Sequence, residues 1–347
     1  MNYATIIVML LSLLLGSCSK GPVLYVFNWS DYIDPELIAE FEKEYGCKVK
    51  YSTYDSNENM LTKIKSSRES FDLVFPSGDH VSIMIENGLA EKLDKAKLTN
   101  IANLDTLLMA KANEFDAGNQ YSLPYFWGIT GLLYNKQEVP AELVAKQSWN
   151  VIGDQFFSGK RKITMLDDAR EVVGAAMISN GYDVNDTSEA ALAAALTTLQ
   201  SWDGNITQFD SESYKNEVAD GTTWLAQAYN GDALQQMAQN QDLGFIFPQE
   251  GSSLWMDNMV ILKSSKNKEL AYQFINFLLR PEVAKRNADY VQYPTPNAAA
   301  FELLEASDKE NLLIYPDDAY LQKCHMIRFL GDEVTKINDL FEKIKMN

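Results

Sequence analysis

The run Leu24-Tyr25-Val26-Phe27 is strand-like, and it passes through Asn28-Trp29-Ser30-Asp31-Tyr32 into a helix start at Asp34-Pro35. A strand that runs straight into a helix has its tip at the carboxyl edge of a sheet, and open α/β folds bind ligands along that edge. This tip places two rings, a hydroxyl and a carboxylate within four residues. Rings hold alkyl chains and attract cations over their faces, and a carboxylate pairs with an ammonium. The competing account is local: Ser30 or Asp31 caps the helix while Trp29 packs into the core.

The strand-then-helix order repeats downstream. A helix from Pro35 puts Leu37, Ile38, Phe41 and Tyr45 on one face and stops at Gly46. Val49–Tyr54 reads as a strand, Asn57-Glu58 opens a helix, and Asp72–Pro76 is a short buried strand with Ser77 at its tip. Such a rhythm implies a parallel sheet with helices on both faces. Tyr121–Gly128, leading into Thr130–Asn135, reads as a first crossing between two lobes, and Met256–Leu262 as the strand crossing back. Between them lie strands at Lys162–Leu166, Ile206–Phe209, Thr223–Ala228 and Leu243–Phe247, with helices from Asp168 and over Glu189–Leu199. An amphipathic helix over Leu270–Leu279 is broken by Arg280-Pro281. After the turn Tyr293-Pro294-Thr295-Pro296-Asn297, two more helices are expected.

The ring-plus-carboxylate chemistry of the first tip recurs. Ser77-Gly78-Asp79 occupies a second tip. At a third, Asp168 and Glu171 lie one turn apart on a helix face; a fourth carries Tyr229 and Asp232, and Trp255-Met256-Asp257 enters the crossing strand. Acidic residues at helix starts also match the helix dipole, which accounts for Asp31, Asp168 and Asp232 one at a time. It does not account for the rings beside them. Rings and carboxylates converging on one cleft suit an elongated cation with ammonium groups at its ends, because a buried ammonium requires a paired charge. Asp168 with Asp257 as a glycosidase-type acid/base pair is the enzymatic alternative. It ranks behind binding, since no nucleophile elbow, P-loop, HExxH or dinucleotide fingerprint accompanies it.

At 347 residues, 46% hydrophobic and 22% charged, the chain suits two lobes of ordinary domain size. Its net charge of -18 argues against nucleic acid, which needs a basic face. Residues 1–17 contain no charged side chain and read as a signal peptide ending in Leu15-Gly16-Ser17-Cys18, which looks like a bacterial lipobox with Cys18 as the lipidated residue. The remaining cysteines, Cys47 and Cys324, are expected as free thiols, although a bridge is chemically open to them. With only His80 and His325 in the chain, no metal-ligand cluster is expected, nor any cofactor.

Taken together, these stretches resemble the spermidine- and putrescine-binding receptor proteins of bacterial ABC importers. The resemblance is carried by Asn28-Trp29-Ser30-Asp31-Tyr32-Ile33, Phe71-Asp72-Leu73-Val74 with Pro76-Ser77, Leu98-Thr99-Asn100 with Asn103-Leu104-Asp105, and Asp167-Asp168-Ala169-Arg170-Glu171-Val172. It continues through Pro248–Gly251, Trp255–Asp257, Ile275–Pro281 and Tyr293–Asn297. It implies a type II periplasmic binding protein fold, two α/β lobes with mixed, mostly parallel sheets, closing about two crossing strands. Residues 23–131 with 257–301 would form one lobe, and 132–256 with 302–347 the other. By the same resemblance Trp29, Tyr32, Trp255 and Tyr293 wall the cleft, Ser30 and Ser77 hydrogen-bond amines, and Asp168, Glu171 and Asp257 pair with them. Asp31, Asp79, Tyr229 and Asp232 complete the expected site. Tyr229 stands where the family usually has Trp, Asp79 where it has Tyr or Ser, and Leu321–Phe329 departs from its pattern.

The implied protein is a non-enzymatic, exported, lipid-anchored monomer facing the periplasm, which hands putrescine or spermidine to a membrane permease. Ser30-Asp31 and Asp232 look like putrescine-type members, whereas Trp255-Met256-Asp257 and Tyr293-Pro294-Thr295-Pro296 look like spermidine-type ones. The expectation is that putrescine binds at least as tightly as spermidine. A receptor for another organic cation, or an acidic surface adhesin or structural lipoprotein, is the alternative.

Overall fold

The computed structural model describes residues 21–66 and 71–346. The expected signal peptide and Cys18 lie outside the described residues. Among the described residues, ten strands form one continuous mixed sheet: β1 (Val23–Trp29), β2 (Lys48–Tyr54), β3 (Leu73–Val74), β4 (Ser122–Asn135), β5 (Ile163–Met165), β6 (Ile206–Phe209), β7 (Leu225–Tyr229), β8 (Leu243–Ile246), β9 (Ser253–Ile261) and β10 (His325–Met326). Their order is β2-β1-β3-β9-β4-β7-β5-β6, with β8 beside β4 and β10 beside β9.

Each half has a parallel centre. β1 runs parallel to β2 and β3, and β5 parallel to β6 and β7. The parallel sheet expected from the strand–helix rhythm is therefore found within each half, while the strands joining the halves run antiparallel. β4 pairs with β9 from Ser122 to Ile129 and with β7 from Thr130 to Tyr134, so one strand serves both sheets. The extended stretches expected on either side of Ile129 are a single strand. The strand is continuous from Ser122 to Asn135, although its register against β9 shifts between Pro124 and Phe126.

Local chemistry sets the helix ends. Asp34 caps Pro35–Tyr45 by accepting from the Glu36 amide at 2.9 Å, Pro35 opens the first turn, and Gly46 at φ +62° closes it. Leu37 and Phe41, one turn apart, carry this helix into the first core. That core also buries Phe274 and Phe277 from the helix Lys268–Leu278. Arg280-Pro281 ends that helix and starts another, Pro281–Val291, because proline cannot continue a helix but fits its first position. The second core gathers Trp149, Phe157, Ile163, Val173 and Trp202. The last helix, Val334–Lys345, completes it with Ile337, Leu340, Phe341 and Ile344, a spacing that makes one apolar stripe.

The tail is more broken than the two helices expected. Ala298–Leu303, Ala306–Lys309 and Asp318–Leu321 are short turns ahead of Val334–Lys345, and β10 follows them. Such segments carry too few residues for a readable period. Tyr315, Tyr320, Leu321 and Met326 pack against a cluster that includes Trp127, Ile129, Leu254 and Met256 of the crossing strands. Cys47 is buried and Cys324 half-buried, and both are free thiols. Among the described residues no helix is long and apolar enough to cross a membrane.

Phe274 is fully buried and meets Phe41 edge-on with ring centroids 4.8 Å apart. Phe274→Ala should cost about 3–5 kcal/mol of unfolding free energy, through lost transfer energy and the cavity left behind. Urea titration with an unchanged slope measures it.

Candidate functional site

The carboxyl ends of β1, β3, β5 and β7 face one cavity, and β9 crosses its floor. Its lining includes Trp29, Ser30, Tyr32, Ser77, Asp79, Asp168, Glu171, Tyr229, Asp232, Trp255, Asp257 and Tyr293. Twelve of the thirteen expected residues thus meet in one place, from segments of both halves. Asp31 does not line the cavity. Its backbone is left-handed at φ +53° and its side chain is 65% exposed, turned to the rim.

Asp257 lies at the centre, 5% exposed. Tyr32 donates its hydroxyl to one carboxylate oxygen at 2.8 Å and Ser77 to the other at 2.7 Å. Ser77 occupies the N-cap of Gly78–Glu86, yet its hydroxyl makes no cap bond; Asn57 braces it, donating from Nδ2 at 3.1 Å. Burial pushes the Asp257 carboxyl up to about 7, against those two hydrogen bonds, which favour the ionised form; the nearby Asp79 adds to the rise.

A second acidic group is built on the start of the helix Ala169–Ser179. Asp168 accepts from the amides of Arg170 at 2.8 Å and Glu171 at 3.2 Å. The cap account of Asp168 is therefore correct for one of its oxygens, and the residue still lines the cavity. Glu171 is 3% exposed and accepts from the Ser253 hydroxyl. Burial raises the proton affinity of both carboxyls, with mutual repulsion adding at Glu171 and Glu58 adding at Asp168. Arg170 does not form an ion pair with them. Its guanidinium donates to the Arg328 carbonyl at 2.9 Å and to Asn185 at 2.7 Å. Asp79 sits in the first turn of its helix with His80 Nδ1 3.2 Å away; burial pushes its carboxyl up, but the charge and hydrogen bonds of His80 together with the Arg170 charge outweigh it and hold the carboxyl below the usual range.

The third acidic group already contains a cation. Lys215 Nζ lies 3.2 Å from Asp31 and 3.4 Å from Asp232. Asp232 also accepts from Tyr214 at 2.9 Å and Tyr293 at 3.0 Å.

Aromatic rings join these groups. Tyr229, Trp255, Tyr293 and Tyr32 form a chain of edge-on contacts with centroids 5.6, 5.2 and 5.3 Å apart. Trp29 is fixed by its indole N–H to the Phe75 carbonyl at 2.9 Å and packs on Tyr54. Gly128 and Gly231 make room for the frame, since a Cβ would stand 2.2 Å from Trp255 at the first and 2.5 Å from Tyr293 at the second. The lining carries eight carboxylates (Asp55, Glu58, Asp79, Asp168, Glu171, Glu212, Asp232 and Asp257) against Arg170, Lys215 and His80. That balance attracts cations, and the rings supply apolar walls for methylenes.

Sequence reasoning missed Lys215, Glu212, Glu58 and Ile327, all of which line the cavity. Lys215 follows a serine-rich turn and opens a short helix, where no strand tip points to it. Ile327 comes from the segment Leu321–Phe329; its amide bonds to the Leu254 carbonyl at 3.1 Å beside β10.

Residues 36–313 match the model of the bacterial extracellular solute-binding proteins. The spermidine/putrescine-binding periplasmic protein of Salmonella typhimurium is 37% identical over 94% of this chain and 92% of its own length. Among solved structures, the PotD substrate-binding protein of a spermidine/putrescine ABC transporter from Streptococcus pneumoniae has 36% identity and a TM-score of 0.80, covering 94% of this chain and 99% of that one. The Tp0655 lipoprotein of Treponema pallidum has 31% identity and a TM-score of 0.82, covering 94% and 100%.

A carboxyl whose pKa is higher folded than unfolded favours the folded state at low pH. That contribution is lost as pH rises from the unfolded value, near 4, through the folded one. In amine-free buffer, Asp257→Asn should therefore gain stability relative to the parent between about pH 4 and 7, by at most on the order of 4 kcal/mol. Thermal unfolding of both proteins across that range checks it; parallel profiles would refute the shift.

Proposed function

Because the chain belongs to the bacterial extracellular solute-binding proteins and has their two-lobed type II fold, we propose that it captures putrescine or spermidine in the interlobe cleft. It delivers the amine to the membrane permease of an ABC importer. The observation that carries this reading is Asp257, a buried carboxylate held by Tyr32 and Ser77 beneath a frame of rings. A carboxylate so placed stabilises an ammonium by ion pairing in a poorly solvated site, while the rings bury the carbons between the amines. Relatives named for spermidine and putrescine, similar over almost the whole chain, support the ligand class.

We read the cleft as a capture site and not a catalytic one. Its buried carboxylates are positioned by hydroxyls and backbone amides that fix them in place, as a binding site needs. The bodies that close on the ligand are residues 23–131 with 257–301 and 132–256 with 302–347, and β4 and β9 flex between them as one monomer works. Export and anchoring through a lipid on Cys18 fit the apolar leader. They also fit the likeness to a treponemal lipoprotein.

Asp257→Asn should weaken putrescine and spermidine binding by about 3–5 kcal/mol, since one ammonium loses its partner inside the protein. Isothermal calorimetry measures this, and a variant binding like the parent would place the site elsewhere. Cys18→Ser should move the full-length exported protein from the detergent phase to the aqueous phase in a Triton X-114 partition, because two or more acyl chains hold a membrane durably. Continued partition into detergent would exclude Cys18 as the anchor.

A further inference from the structure

The cavity has three acidic stations, and they are not equivalent. Among the described residues, Asp257 and the Asp168–Glu171 pair have no Lys or Arg side-chain nitrogen within 4 Å, whereas Asp232 has Lys215 at 3.4 Å. Lys215 is 9% exposed, comes from the helix Tyr214–Asp220, and reaches across the cleft to Asp31 on the loop after β1. The oxygens of Asp232 are already engaged: Tyr293 donates to Oδ1, and Tyr214 and Lys215 to Oδ2.

We propose that Lys215 is a specificity-determining residue: its ammonium is a built-in cation that takes the Asp31–Asp232 station and leaves two stations for the amines of a short diamine. The inference rests on the capture reading above. A triamine extended along the cleft needs a third carboxylate for its third ammonium. At this end it meets a fixed positive charge beside a saturated Asp232, and like charges a few ångströms apart repel strongly away from water. The nearby Glu212 and Asp55 are exposed at the mouth, so they face solvent instead of completing a buried station. Burial lowers the proton affinity of Lys215, but Asp232 and Asp31 outweigh it and hold the ammonium pKa above its ordinary value. The pair also spans the mouth, because Asp31 and Lys215 belong to opposite halves. The same ammonium therefore ties the rim at the end where a longer ligand would emerge.

Competitive calorimetry with putrescine and spermidine on the full mature chain tests this, using the parent, Lys215→Met, Lys215→Gln and Lys215→Arg, each checked for a cooperative thermal transition. Removing the charge should raise the spermidine-to-putrescine affinity ratio by about tenfold or more in both neutral variants, while Lys215→Arg keeps the ratio low. An unchanged ratio in neutral variants that still bind putrescine overturns the role of Lys215 and leaves the capture reading standing. A parent that binds neither amine overturns the capture reading, and this inference with it.

Discussion

Asp257 is a carboxylate placed where water barely reaches it, and much of the molecule serves to make that placement tolerable. A buried charge is costly unless it is hydrogen-bonded and paired. Two hydroxyls from separate segments supply the hydrogen bonds: Tyr32 after β1 and Ser77 after β3. Both arrive only because β1, β3 and β9 are neighbours in one sheet, so the parallel centre of the first half and the antiparallel crossing strand must both be in register. The isolated bridge between Ser77 and Asp257 is where the two arrangements meet.

The aromatic frame depends on the same constraint from the other side. Tyr32 holds Asp257 by its hydroxyl and touches Tyr293 by its ring edge, and Tyr293 in turn donates to Asp232. A chain of rings thus connects two acidic groups on different halves. Rings in edge-on contact lose little flexibility on ordering, so they preserve spacing between charges better than long aliphatic side chains would. Small residues are required opposite them, which is why Gly128 and Gly231 stand under Trp255 and Tyr293.

Much of this was legible in the chain because strand tips carry a signature. At Trp29–Tyr32, Ser77–Asp79, Asp168–Glu171 and Tyr229–Asp232 an apolar run ends abruptly in polar and aromatic residues before a helix, and that punctuation located the cavity wall. Asp31 satisfied the same rule and still turned outward, because a left-handed backbone rotates its side chain away from its neighbours' side. Lys215 illustrates the opposite failure. A lysine near the start of a short helix looks like solvated surface, and only the tertiary packing of Tyr214 and Asp232 makes it internal. Ile327 was hidden likewise, since a two-residue strand has no period to read.

The way β9 is threaded bears on the order in which the molecule can assemble. In the first half, β3 and β4 are not neighbours; β9 lies between them, and it is contributed by residues made some 130 positions after β4 begins. Until that strand arrives, β3 and β4 each present an unpaired edge, and Asp257 is absent from the pocket that Tyr32 and Ser77 would form. The second half, by contrast, draws most of its sheet from one uninterrupted stretch between β5 and β8. Contacts separated by so much chain are slow to form because the loop must close before they reward it. The N-terminal portion is therefore held short of its complete native sheet until most of the polypeptide is available to supply β9.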